Sequence, residues 1–534
     1  MTISNIASCP SVTVPQSGPA STPAYKPCHN CRRRRLRCDR SQPACQKCIK
    51  NGERCLGYGT LLRWTHAVAS HGKMAGRSSF GEAEAGALVS SADRPRSGLE
   101  LGAVTPAVSF SLVDPLLQDM STTARYYVNH FSAAVCKDLV SYDRPDRNPF
   151  RFMITLMGRF PYLREIVVAI GAIHLVARRR ARDQRVGEEL IDAFSARASA
   201  IRLLRHALNH IDESNRQAIL AAVVFFVNFD LIDSGRGGWK THLDAAGTLV
   251  RTLCPGGVDA AGPQRGANSF DLAMAQLGDV VIADCLTYHI FGATLSVMDE
   301  TTAQVYDGID IPAVLGRAEA YTYHGCPPEI LRIVAQANRT IPSGRNGWDV
   351  GNDGRHQDET NRAVTSLLAQ AVAVDVREWV HSIRGLAPED DRETRVKLAS
   401  AHRAAACLYI SLIAPSGGAD SDDGTREAAR ALVDEILGHL SSIPENHELF
   451  KGSVWPAFLA GGQTDDPAQR LWCLTALKGL WLSSTWISPW GYVQTATKTL
   501  QQIWAVRDGL PPAQRARWNW LRELRSSGES ALIV

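Results

Sequence analysis

Apolar positions recur at helical spacing over most of this 534-residue chain. From Val113 onward, Met120, Tyr127, Phe131 and Val135 follow a helical repeat. Asp114-Pro115 ahead of them reads as a helix start, a side-chain cap with proline at the first helical position. Asn148-Pro149-Phe150 breaks the chain. The pattern then predicts helices over 161–182, 187–211 and 214–233, the last opened by the capping box Ser214-x-x-Gln217. Ala218 to Phe229 is apolar nearly all round, which places that helix at the centre of a core. Gly235 to Gly238 is a turn, and a helix from Trp239 runs to about Leu253, where Cys254-Pro255-Gly256-Gly257 stops it. Further helices are predicted over 269–300, 328–338, 359–384, 391–413, 425–443, 467–484 and 494–508. No alternation of strand type rises above this pattern. Residues 113–530 therefore read as one large all-α domain.

The pattern fails before Val113. Residues 1–24 are rich in Ser, Thr and Pro and show no period, which predicts a disordered tail. They have neither the basic start nor the apolar stretch of a signal peptide. Residues 59–112 read as a flexible linker, Gly, Ala and Ser rich after residue 70 and broken by Pro95 and Pro106. Leu61, Trp64 and Val68 would supply one heptad of a coiled coil, but Gly72 and Gly76 weaken the next turns. Any dimer is thus expected to depend on the helical domain. No apolar run reaches the length of a membrane span; the nearest, Ile166 to Ala177, is too short.

Between tail and linker, residues 25–58 hold six cysteines: Cys28, Cys31, Cys38, Cys45, Cys48 and Cys55. The first three map onto the last three by a shift of seventeen positions, an internal repeat. Thiolates at C-x2-C spacing suit tetrahedral zinc. Two tetrahedral ions need eight ligand positions, so six sulfurs suffice only if two of them bridge. The repeat therefore argues for one binuclear cluster. A disulfide framework is the alternative, and it fits poorly with a chain that carries no secretion signal. The other cysteines, Cys136 and Cys285 among them, are scattered without ligand spacing and read as small buried hydrophobes.

Charge says what the cluster meets. Five arginines fill six positions between Arg32 and Arg37. Residues 28–55 carry nine Lys or Arg against Asp39 and Glu53; with six thiolates and two zinc ions the module keeps a charge of +5. The whole chain carries only +4, so the polyanion-binding character is local. Arginine also makes the bidentate contact to guanine in the major groove. The basic run thus reads as a DNA-reading helix and a nuclear import signal together.

Residues 28–55 resemble the binuclear zinc cluster of the fungal six-cysteine transcription factors. The spacing, the basic run after Cys31, Asp39 after Cys38 and Pro43 before Cys45 all match. The resemblance implies two zinc ions bridged by Cys28 and Cys45. It places Arg34 and Arg35 where the family reads a CGG triplet, and Arg32, Arg37 and Arg40 near phosphates. The family usually has lysine where this chain has Arg35. Asn148-Pro149-Phe150, Trp239-x-x-His242-Leu243 and Trp455 to Gly462 resemble landmarks of the helical regulatory domain that accompanies such clusters. The implied protein is a nuclear, sequence-specific regulator of RNA polymerase II transcription, whose helical domain receives a small-molecule effector or contacts the transcription machinery.

A catalyst fused to a zinc module is the rival. The chain has no G-x-S-x-G, Walker loop, H-E-x-x-H or dinucleotide fingerprint. His174, His242, His289 and His324 lie far apart in sequence and read as core or capping residues. Arg178, Arg179 and Arg180 close a helix, where cations suit the dipole. Trp239 and Trp455 read as core. The acidic runs 389–391 and 420–423 lack the interleaved bulky hydrophobes of an activation segment.

Overall fold

A computed structural model describes residues 26–41, 44–52, 55, 115–253, 269–297, 308–340, 354–387, 390–414, 422–482, 490–515, 517–528 and 531–534. The tail and linker assignments, the heptad at 61–68 and the Asp114 cap lie outside these. The chain divides into two compact units, Met1–Val108 and Ser109–Val534.

The larger unit is helical, with a single antiparallel bridge, Val140 to Thr322, as the one β feature among the described residues. Two helices form its centre. Arg216–Asp233 is buried from Ala218 through Ile232, and Ser269–Leu295 from Val280 through Leu295; they pack against each other. Both are apolar all round, so neither can turn a face to water. Pro161–Ala181 and Glu189–Ala207 form a hairpin on one flank, joined to the centre through Pro161–Ala181. On the other flank Arg392–Ile413 packs against Asp422–Ser441. Val454–Gln463, buried from Val454 to Gly462, lies between Asp422–Ser441, Pro467–Leu482 and Gly491–Gly509.

Two glycines set the closest approaches. A Cβ on Gly171 would stand 2.3 Å from the Tyr127 carbonyl oxygen, which lets Pro161–Ala181 press onto Thr122–His130. A Cβ on Gly491 would stand 2.1 Å from the Asp233 carbonyl oxygen, so only glycine lets Gly491–Gly509 start against the end of the central helix.

Some boundaries differ from the sequence pattern, for local reasons. Pro115 opens only a 3-10 turn, Pro115–Leu117; the helix begins at Thr122, capped by Ser121, whose Oγ accepts the Ala124 amide at 3.1 Å. The Ser214 capping box does not form. Asp212 Oδ1 takes the Ser214 and Asn215 amides at 2.8 and 3.1 Å, holding those residues in a turn, and the helix starts at Arg216. The predicted 359–384 helix is two, Gly354–Ala373 and Val376–Ser382, because Asp375 caps the second through the Glu378 amide at 2.9 Å. Asp391 likewise caps Arg392–Ile413, giving part of the first acidic run a structural role. That helix is the one long and apolar enough to cross a membrane among the described residues, but most of it is buried inside the unit.

Candidate metal centre and nucleic-acid interface

The cysteine repeat is also a backbone repeat. Cys28 and Cys45 are extended N-caps of the short helices His29–Arg33 and Gln46–Lys50. Each sulfur accepts the amide of the second cysteine of its pair, Cys31 at 3.5 Å and Cys48 at 3.4 Å. Arg34 and Asn51 end the helices. One residue on, Arg35 and Gly52 both turn left-handed, with φ of 54° and 68°. Glycine takes that conformation without strain; arginine takes it at a cost of about 1 kcal/mol. Arg40 is a second left-handed residue, φ 61°.

The fold of the two halves brings the sulfurs together. Cys28, Cys31, Cys45 and Cys48 are buried, and their Sγ atoms all lie within 4.8 Å of one another. Cys28 to Cys45 is 3.5 Å, Cys28 to Cys48 3.8 Å and Cys31 to Cys45 3.8 Å. Sulfurs about 2.3 Å from one tetrahedral zinc stand about 3.8 Å apart, so these separations suit thiolates that share metal. The half-buried Cys38 and Cys55 pack against this group. Cys38 interacts with Cys28 and Cys45, and Cys48 with Cys45, Cys28 and Cys55. Cys31, Cys38 and Cys48 each meet both Cys28 and Cys45, so those two are the common members of the cluster.

Three of these thiols, Cys28, Cys31 and Cys48, favour their protonated form, and Cys38 does not. Burial pushes Cys28 and Cys31 up. Hydrogen bonding to Cys45, with burial, lifts Cys48 to about 12. Burial also acts upward on Cys38, but amide donation from Cys28 and Arg40 brings it down to about 7. Metal uptake therefore releases protons.

Asp39 ties the halves together. Its Oδ2 accepts the Gln46 amide at 2.9 Å and its Oδ1 the Lys47 amide at 3.3 Å, and Ser41 donates to it as well. These donors, Ser41 first, hold Asp39 well below the usual carboxylate range. Around this frame Arg32, Arg34, Arg35, Arg37 and Arg40 are all exposed. Lys47 and Lys50 on the second helix are exposed too, and sequence reading counted their charge without giving them a place. The left-handed backbone at Arg35 was also missed; its signal was the seventeen-residue shift that aligns Arg35 with Gly52.

The candidates that were set aside in the helical unit sit in structural roles. His324 Nδ1 accepts the Cys326 amide at 3.0 Å, and His174 meets His130 at 2.6 Å and Asp138 at 3.3 Å. His242 stacks on Phe226, and His289 is buried. Arg179 pairs with Glu189 at 2.6 Å and Arg180 with Asp233 at 2.8 Å. Trp239 and Trp455 are fully buried.

Comparison with known proteins agrees with this division. Residues 26–65 match the fungal Zn(2)-Cys(6) binuclear cluster domain, and residues 125–533 match the fungal specific transcription factor domain. The chain is 36% identical to the acriflavine sensitivity control protein acr-2 of Neurospora crassa, over 95% of this chain and 97% of that protein. It is 20% identical to a phomenoic acid biosynthesis cluster-specific transcriptional regulator of Leptosphaeria maculans, over 90% of this chain and 85% of the other. It is 25% identical to sterol uptake control protein 2 of Saccharomyces cerevisiae over 29% of this chain and 17% of that one. No solved structure gives a significant match. The chain belongs to the fungal zinc-cluster transcription factors, DNA-binding regulators that carry two zinc ions in a six-cysteine module ahead of a helical domain.

Proposed function

We propose that the module of residues 25–58 reads CGG-like triplets in the major groove, with the six cysteines holding two zinc ions and Cys28 and Cys45 shared between them. The single observation that carries this is that Cys31, Cys38 and Cys48 all meet Cys28 and Cys45, with an exposed arginine run directly after Cys31. The metal supplies the folding energy that so short a segment cannot draw from a core. Arg34 and Arg35 then face base edges, while Arg32, Arg37 and Arg40 position the module on phosphates. The left-handed turn at Arg35 supports its role: a side chain is kept where the repeat-mate is glycine, and strain of this kind gathers at functional positions.

The same reading makes 1–24 a tail, 59–112 a linker and 113–530 the regulatory domain. It places the protein in the nucleus, acting as a regulator and not as a catalyst, with any dimer formed through the helical domain. Family membership supports the regulatory domain, the nuclear place and regulation in place of catalysis, and the lack of sustained heptads after the cluster supports the dimer reading. Fluorescence anisotropy of the full chain on labelled duplexes, one with a CGG triplet and one scrambled, tests it at several salt concentrations. Tighter binding to the triplet that survives rising salt supports the reading; equal affinity for both duplexes overturns it.

A further inference from the structure

Glu189–Ala207 buries Ala193, Ala196, Ala200 and Leu204 and packs against Pro161–Ala181. Its outer side holds apolar residues that stay in water. Among the described residues thirteen large hydrophobic side chains are exposed. Ile191, Phe194, Leu203 and Leu208 stand on this helix or its C-cap, and no other described helix carries more than two. Ile191 is 71% exposed. Phe194 meets the Phe229 ring edge-on at 5.3 Å and is still 44% exposed. Scattered single residues of this kind are ordinary, but a run of them along one helix marks an interaction surface.

The outer face follows a seven-residue repeat. Ile191, Ala198 and Arg205 lie seven apart, and so do Phe194, Ile201 and Leu208. These are the a and d positions of a two-helix seam. Glu188, Ser195 and Arg202 then fall at e, beside the seam. Ala198 and the three e residues are exposed, and Ile201 is half-buried. Charge divides along the helix. Residues 188–196 carry Glu188, Glu189 and Asp192 and no Lys or Arg, while 197–207 carry Arg197, Arg202 and Arg205 and no acid. Glu189 and Arg197 are engaged within the unit, by Arg179 at 2.6 Å and Asp230 at 3.0 Å. Arg202 donates to Ser199 Oγ of its own helix at 2.8 Å, and its guanidinium stays exposed like Glu188. The dipole of a solitary helix would account for the charges but not for the exposed apolar residues beside them.

We propose that this face is covered by the same face of a second copy of the chain, the two helices lying antiparallel about a two-fold axis near Ser195. Turned end for end, the stripe fits itself. Ile191 stands opposite Ile201 of the second copy. Phe194 stands opposite Ala198 of the second copy, a large ring against a small side chain. Glu188 stands opposite Arg202 of the second copy. The two-fold axis makes each of these pairs occur twice. A parallel pair would instead set Ala198 against Ala198 and Arg205 against Arg205, leaving a gap and facing like charges. The proposal rests on the reading that any dimer forms through the helical domain, and gives that dimer its surface.

Sedimentation equilibrium of the full-length, zinc-loaded protein tests it at up to about 100 µM, a range that resolves micromolar dissociation constants. The parent chain should dimerise with rising concentration. Ile191→Ser should weaken the dimer about tenfold or more, because two apolar side chains leave the interface while the fold loses little from so exposed a position. Glu188→Lys and Arg202→Glu should each weaken it about tenfold by setting like charges opposite each other twice, and the double variant should return to within about threefold of the parent. If the charges served only the helix's own dipole, the double variant would be the worst of the three. A monomer at every concentration overturns this proposal and the dimer reading together. A dimer that Ile191→Ser or either single reversal leaves unchanged, or reversals that the double variant does not rescue, overturns this proposal alone.

Discussion

The two units of this chain reach order by opposite routes. Among the described residues of the zinc module the buried side chains are four cysteines and Asn30, with two more cysteines at the edge, and the arginines between them are exposed. Among the described residues nothing there constitutes a hydrophobic core, so chemistry at six positions must hold the fold. The helical unit is held by one continuous core that runs from Leu117 to Val534. The module therefore stands or falls with its metal and is otherwise tolerant, while the helical unit depends on shape at many positions. The same contrast separates functions. Charge gathers where there is no core, and the helices gather where there is one.

The comparison breaks most visibly at the shared sulfurs. Cys28→Ala and Cys45→Ala each remove a ligand from both metals. They should abolish module folding and specific DNA binding, since structural zinc supplies on the order of 10 kcal/mol in such small domains. Cys31→Ala removes a ligand from one metal and should leave part of the zinc bound. Native mass spectrometry gives the stoichiometry; Cys28→Ala and Cys31→Ala with equal metal content would contradict the shared role.

The helical unit should fail by a different change. Trp455 is fully buried, stacked on Phe291 at 4.7 Å, with its Nε1 donating to Thr294 Oγ1 at 3.3 Å. Trp455→Ala should cost that unit about 3–5 kcal/mol. Denaturant titration followed by far-ultraviolet circular dichroism reads the loss, and zinc content should not change.

Within the module, stability and reading should separate at Arg35. Arg35→Gly relieves the left-handed strain, and the zinc-bound module should gain up to about 1 kcal/mol, less whatever the freer unfolded chain gives back. The same change should lose about 1–3 kcal/mol on a guanine-containing site. Arg40→Ala should instead weaken all sequences alike and reduce the salt slope by about one. Parallel losses on specific and random DNA from both substitutions would remove the division of labour.

The smallest effect concerns a buried acid. Asp284 lies in the central Ser269–Leu295 helix, and neither carboxylate oxygen has a hydrogen-bond partner. Burial raises its folded-state pKa well above the ordinary value. The uncharged form is thus favoured, and its contribution is full below the unfolded carboxylate pKa of about 4. It is lost as pH rises toward and through the folded value. Asp284→Asn should flatten that decline and stabilise the unit by about 1 kcal/mol at pH 8, with no gain at pH 4. A gain of equal size at both pH values would show that packing, not charge, is responsible.

Legibility followed the same division. Cysteine spacing fixed the module because six ligands at set intervals have few alternative uses. Most helices from Pro161 to Gly509 were readable because the apolar period is strong there, but the six-residue Ile311–Gly316 was too short to show one. What escaped was decided by particular local bonds or by shape. Asp212 outcompeted Ser214 as a turn-former, Asp375 split one predicted helix, and Gly171 and Gly491 set approaches that no pattern of hydrophobicity encodes. The Val454–Gln463 helix was seen only as a landmark, since its proline falls in the first turn, where no amide is needed.

The central claim is that metal holds the DNA-reading module while a core holds the rest. Stepwise chelation of the full-length protein tests it most directly, with zinc release, DNA anisotropy and far-ultraviolet circular dichroism read together. Two zinc ions per chain should be released, specific DNA binding lost in step with them, and helical signal and its melting retained. Release of a single zinc ion, or DNA binding that survives complete chelation, would contradict it.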